Sequence, residues 1–216
     1  MTDKPFDFEK IAAVKQSVQS FQEQERFDQE QINTPEYYEG LKDTLLRIVS
    51  ILHSLGIKDY ELAHGFVADL LGKEIAGKLP KYKAYDLDIF LKKEDSQKAA
   101  EVLQQTGFSL DKISYNDKNE PLIYKLKDQK NQNLVDLFTE LTQSPRITVN
   151  VEGIEINIES PVSVHHFITS ELESDFLSRS VDEKYKRTRK AKNQDRISLL
   201  EDAMGKMNMR WKYIDM

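Results

Sequence analysis

The chain has 216 residues, 39% of them hydrophobic and 31% charged, a composition that can build a packed core and is unlike that of a disordered polymer. A formal charge of −6 makes the whole surface a poor binder of polyanions, so any nucleic-acid contact needs a local basic patch. Cysteine is absent, which excludes disulfides, Cys-ligated zinc and a thiol nucleophile and leaves oxygen or imidazole ligands.

Met1 to Lys10 lacks a basic start followed by an apolar core, and no window reaches the roughly 18 apolar residues of a membrane span. A cytoplasmic location is expected. From Phe8 to Gln31 the residues Ile11, Val14, Val18, Phe21 and Phe27 recur at near-helical spacing and predict an amphipathic helix. Packing on the next helix is the plainer use of that stripe, and homodimerisation through the amino-terminal helices is the other. Asn33-Thr34-Pro35-Glu36 combines a capping side chain, Pro at the first helical position and an early acid, and predicts a helix start. Its apolar face runs through Leu41, Leu45, Ile48, Val49, Leu52 and Leu55 to a stop at Gly56.

The pattern then changes. Tyr60-Glu61-Leu62-Ala63 predicts a short strand, His64-Gly65 a turn, and Phe66 to Gly72 a helix. Glycine at such a turn lets backbone N–H groups approach an anion at the helix start. A loop with Lys78, Lys81 and Lys83 leads into Tyr85-Asp86-Leu87-Asp88-Ile89-Phe90-Leu91. In an extended strand Asp86 and Asp88 share one face, while Leu87 and Ile89 take the other. Two neighbouring acids in an apolar strand repel each other and are costly to desolvate, and a divalent cation would resolve both problems. Asn133-Leu134-Val135-Asp136-Leu137-Phe138 repeats the oddity with one acid. If the two strands are neighbours, three carboxylates converge on a site for one or two Mg²⁺ ions.

Between them, Ser96 to Gln105 predicts a helix ended by Gly107. Strands are expected at Phe108 to Ile113, Leu122 to Leu126, Asn133 to Phe138, Arg146 to Val151 and Ile154 to Ile158. Ser160-Pro161 opens a helical tail with a break near Ser178. The last helix, Val181 to Met207, begins basic and becomes apolar at Ile197, Leu199, Leu200 and Met204. The basic stretch 184–196 is either a solvated face or a dock for a polyanionic RNA or a protein acceptor. His53 is expected to be structural, and His165 and His166 to be surface or capping residues.

Strand, glycine turn, helix, paired-acid strand, helix, hairpin strands and a third acid resemble the DNA polymerase β-like nucleotidyltransferase superfamily, above all its minimal and abortive-infection-toxin-like members. The resemblance runs roughly from Leu45 to Ala203. It implies an α+β fold, a mixed sheet flanked by helices, with a nucleotidyltransferase core over 57–160 followed by a helical region over 161–216; the helical hairpin over residues 1–56 is read from the periodicity of the first two helices, the first of which lies outside the resemblance. It also implies transfer of a nucleoside monophosphate from an NTP such as ATP to a hydroxyl on RNA, protein or a small molecule, with Mg²⁺ as cofactor. Asp86, Asp88 and Asp136 are then the metal-binding and catalytic acids, and His64, Gly65, Lys81, Lys83 and Lys192 the nucleotide-binding residues. His64 stands where the family has the first glycine of the turn, and Tyr82 and Ala84 stand where it has Arg and Thr. These departures leave open a second possibility, a catalytically impaired module that binds nucleotide or nucleic acid.

Overall fold

A computed structural model describes residues 32–173 and 183–209. The expected helix over Phe8 to Gln31 and the break near Ser178 lie outside them. Helix α1 spans Pro35–Ser54; the Thr34 hydroxyl accepts from the Tyr37 amide at 3.2 Å, and Pro35 occupies the first turn. Next come β1 (Tyr60–Ala63), α2 (Gly65–Glu74), β2 (Asp86–Leu91), α3 (Lys93–Gln105) and β3 (Phe108–Tyr115). The chain continues through β4 (Pro121–Asp128), β5 (Leu134–Phe138), β6 (Arg146–Val151), β7 (Ile154–Glu159), α4 (Pro161–Glu173) and α5 (Glu183–Lys206). Among the described residues the expected elements from residue 33 to 207 form, β1 and β6 with the expected ends and the others with ends moved by at most three residues; the expected start of the last helix at Val181 lies outside the described residues.

The strands make one mixed sheet in the order β3-β4-β5-β2-β1-β7-β6. Strand β2 pairs parallel with β5 and antiparallel with β1, while β1 pairs parallel with β7. Side-chain alternation sorts the two faces. One carries Leu62, Leu87, Ile89, Leu91, Val135, Leu137 and Leu126, all buried, and α3 packs there against β2 to β5 while α1 lies on α3 and β7. The opposite face of the central strands carries Glu61, Asp86, Asp88, Asp136 and Lys125.

Helix α1 is tied to the β4–β5 turn by a buried carboxylate. Asp128 accepts from the Thr44 hydroxyl at 2.7 Å and the Lys130 amide at 3.0 Å, and pairs with the Arg47 guanidinium. Asn133 adds a bond from its amide nitrogen to the Thr44 hydroxyl at 2.9 Å. At the other end of the sheet α2, α4 and α5 pack on one another. The close approach of α5 to α2 depends on Gly72, where a Cβ would meet Leu199 at 2.8 Å. No described helix is long and apolar enough to cross a membrane.

Candidate active site

The register of the parallel pair brings the acids together: Asp88 stands opposite Asp136, and Asp86 opposite Leu134. Asp86, Asp88 and Asp136 each offer an oxygen within 4.8 Å of the others. Burial in the cleft, then the charges of Asp88 and Asp136, hold the Asp86 carboxyl above the usual range. Burial also raises Asp136, against the opposing pull of Lys125. Charge concentrated this way is what a cation relieves. The donor set is all oxygen, which suits a hard ion such as Mg²⁺ and gives a soft metal no thiolate to hold.

Asp136 has a neighbour on its far side. Lys125 on β4 stands opposite it in register and its ammonium pairs with the carboxylate, a bond that raises the lysine's own pKa. Lys112 stands opposite Lys125 on β3. One row across the sheet thus reads Lys112, Lys125, Asp136, Asp88 and Ala63.

On the near side the acids border a cleft of about 240 Å³, between the β1–α2 turn and helices α4 and α5. Its cationic wall is α5, from which Arg189, Lys192 and Arg196 reach it at helical spacing. Burial, followed by the charge of Arg196, depresses the Lys192 ammonium to about 7; its nitrogen lies 4.5 Å from the centre of the Tyr85 ring. Arg196 donates to both oxygens of buried Asp69 at 3.1 Å, which sets its guanidinium over the β1–α2 turn. A Cβ at Gly65 would stand 2.2 Å from Arg196 Nη1. Glycine is therefore required there for closeness. Glu171 accepts from Arg189 at 2.8 Å and from Asn193 at 3.1 Å, tying α4 to α5.

His64 forms the turn with φ 60° and ψ −139°, a region that a residue with a Cβ enters at a cost of about 1–3 kcal/mol. Its Nδ1 is 3.2 Å from Asp88 Oδ2, and its ring stacks on Phe167 with centroids 5.0 Å apart. Burial pulls the imidazole pKa down, but the Asp88 bond and the charges of Asp88, Glu159 and Glu171 outweigh it and the net direction is up.

Of the residues singled out in the sequence, Asp86, Asp88, His64, Gly65 and Lys192 line this cleft and Asp136 closes its acidic corner. Lys81 and Lys83 are not among its walls: their ammoniums lie over the rings of Tyr82 and Tyr37, at 5.6 and 4.9 Å from the centres. The Lys81 amide instead donates to Asp195 at 2.9 Å. His53 approaches the Tyr60 hydroxyl at 3.4 Å, and His165 lies 3.5 Å from Glu201. Sequence reasoning held Arg189 and Arg196 only as part of the basic stretch 184–196, a dock for an acceptor, and missed Tyr85, Phe167 and Lys125. One signal was present: Asp69 sits inside the apolar run Phe66 to Gly72, where a buried acid demands a cation from another element.

No family model matches the chain, and no curated protein does. Solved structures do. An antigenic nucleotidyltransferase-like protein from Paracoccidioides brasiliensis superposes with a TM-score of 0.50 at 16% identity, over 75% of each chain. The chain has the nucleotidyltransferase fold. The lincosamide antibiotic adenylyltransferase LnuA, with lincomycin bound, matches at a TM-score of 0.47 and 18% identity over 79% of this chain and 98% of its own. The Megavirus polyadenylate synthase matches at 0.48 and 14% identity over 97% of this chain and 40% of its own. Within the nucleotidyltransferase fold seen here, the acids lie on two adjacent parallel strands and the cations on the last described helix.

Proposed function

We propose that the chain transfers a nucleoside monophosphate from an NTP to a hydroxyl acceptor, with Mg²⁺ held by Asp86, Asp88 and Asp136. The observation that carries this reading is the polarity of the cleft: three converging carboxylates on the sheet face a wall of Arg189, Lys192 and Arg196 on α5. A metal–triphosphate complex has the matching polarity, cation toward the acids and phosphate oxygens toward the cations. Bound magnesium would neutralise charge on the reacting phosphoryl group and on the leaving pyrophosphate.

The chain's own groups do the rest. Arg189, Lys192 and Arg196 hold the outer phosphates beside the amino-terminal end of α2, where Gly65 keeps the turn open to them. The acceptor approaches from the β4 side, because the α5 side is taken by phosphate. Its hydroxyl oxygen forms a bond to the α-phosphorus as the bond from that phosphorus to the oxygen bridging the β-phosphate breaks. The hydroxyl proton passes to Asp136, the member of the triad on the β4 side from which the acceptor comes. The acceptor is a hydroxyl of RNA, of a protein or of a small molecule. With the α5 cations committed to phosphate, the row from Lys112 to Lys125 takes over as the basic ledge nearest an incoming acceptor.

Label from a radioactive NTP tests this. Wild-type protein with Mg²⁺ transfers label to an acceptor in an RNA, protein and small-molecule panel, and Asp88→Ala loses transfer while keeping its circular dichroism spectrum. An Asp88→Ala protein that transfers at the wild-type rate sinks the assignment. A second reading, a nucleotide-binding module without transfer, is favoured by Lys125 sitting on the acid assigned as proton acceptor. Calorimetry separates the two: the module binds NTP in a metal-dependent way and labels no acceptor.

A further inference from the structure

His64 occupies a position that disfavours any side chain, yet β2 and α4 hold its ring in one place while β7 anchors its backbone amide. The left-handed backbone at φ 60° follows β1 directly, and α2 begins at the next residue. The His64 amide donates to Glu159 Oε2 of β7 at 3.3 Å. Its ring lies edge-on to Phe90 of β2, centroids 5.4 Å apart, and stacks at 21° on Phe167 of α4. Phe90 is braced in turn by Phe138, 4.3 Å away and almost parallel. Clamped between these rings, the imidazole puts Nδ1 3.2 Å from Asp88 Oδ2.

We propose that His64 is a positioning residue for the acidic triad. Its Nδ1–H donates to Oδ2 of Asp88, fixes the carboxylate rotamer and leaves Oδ1 free for the metal shared with Asp86 and Asp136. A glycine at this turn would satisfy the backbone better and would leave Asp88 unsupported. The strain at residue 64 is thus the cost of carrying a hydrogen-bond donor at that point, as is common where backbone strain sits beside chemistry. Hydrogen-bond partners of metal-binding carboxylates govern affinity through orientation. The inference rests on the reading of the triad as a metal site.

Two substitutions and one spectrum test it. His64→Gly removes the donor together with the strain. His64→Asn keeps a donor in the same bonded place, since Asn Nδ2 and His Nδ1 are both attached to Cγ, and Asn tolerates positive φ better than most residues. Mn²⁺ titrated alone and followed by electron paramagnetic resonance is expected to bind His64→Gly about tenfold more weakly than wild type. His64→Asn is expected within about threefold of wild type. Without metal, the melting temperature of His64→Gly is expected within a few degrees of wild type, so that affinity and stability part company. Nitrogen-15 NMR of the wild type near pH 8 is expected to show the proton on Nδ1 of His64, the tautomer that Asp88 selects. Wild-type affinity in His64→Gly, an Asn variant as weak as the Gly variant, or a proton on Nε2 each overturns the proposal. A wild-type chain that binds no Mn²⁺ overturns the metal-site reading instead, and the tautomer then decides the His64–Asp88 bond by itself.

Discussion

Adding one methyl group at Gly65 probes how the cationic wall is held. An alanine Cβ there would lie 2.2, 2.5 and 2.7 Å from Nη1, Cζ and Nη2 of Arg196. All three distances are below van der Waals contact, so the guanidinium must leave. Its departure breaks both 3.1 Å bonds to Asp69, a carboxylate whose side chain is 2% exposed and which has no water to turn to. Stranding a buried partner costs about 3–5 kcal/mol. Against this, alanine in a helix recovers about 1 kcal/mol relative to glycine, leaving a net loss of about 2–4 kcal/mol. For a chain of this size that lowers the melting temperature by roughly 4–16 °C. Urea unfolding of Gly65→Ala measures it. The same substitution is then made in an Asp69→Leu, Arg196→Met background, where the pair is already gone and the methyl group has room. There Gly65→Ala is expected to be neutral or mildly stabilising. An undiminished penalty in that background, or no penalty in the native one, refutes the claim that Arg196 is locked above the turn.

Two other perturbations read the same architecture. Lys192, with its pKa depressed to about 7, is largely neutral in the folded chain between pH 7 and the ordinary lysine value, while the unfolded chain still holds the proton. Stability contributed through this group therefore rises as pH climbs from 7. Binding of a triphosphate restores the charge, so calorimetry in buffers of different ionisation heat is expected to show proton uptake near pH 8 and affinity falling as pH rises further; Lys192→Met abolishes the uptake, and an uptake that survives the substitution refutes the assignment. Asp128→Ala leaves Arg47 and the Thr44 hydroxyl without their shared acceptor. Arg47 keeps Asp43 and the Thr44 hydroxyl keeps the Gly40 carbonyl, so a loss of about 1–3 kcal/mol in urea unfolding is expected, with the Mn²⁺ affinity of the folded fraction unchanged because the network lies on α1 and the β4–β5 turn.

Some of the site was legible because it is local. The shared face of Asp86 and Asp88 follows from strand alternation over three residues, and the glycine turn from one dipeptide. Asp136 could be joined to Asp86 and Asp88 only on the condition that its strand neighbours theirs, or through the resemblance: its place opposite Asp88 is a register between strands separated by α3 and a hairpin. Lys81 and Lys83 show the opposite relation. They are near the acids in sequence, and the path of the loop sets them over Tyr82 and Tyr37 instead.

By itself, then, the amino-acid order determined the elements, the pair of acids that stick out of an otherwise apolar strand, and the unusual histidine beside a glycine. These depend on bond geometry and on periods of two and 3.6 residues. Tertiary structure alone decided which way α5 faces. Its cations read from sequence as a basic surface, yet packing against α2 and α4 turns Lys192 and Arg196 inward, each left 8% exposed. The physical reason is that a buried acid on one helix and a close-packed glycine on the same helix select the partner face, and neither is visible along the partner's own sequence.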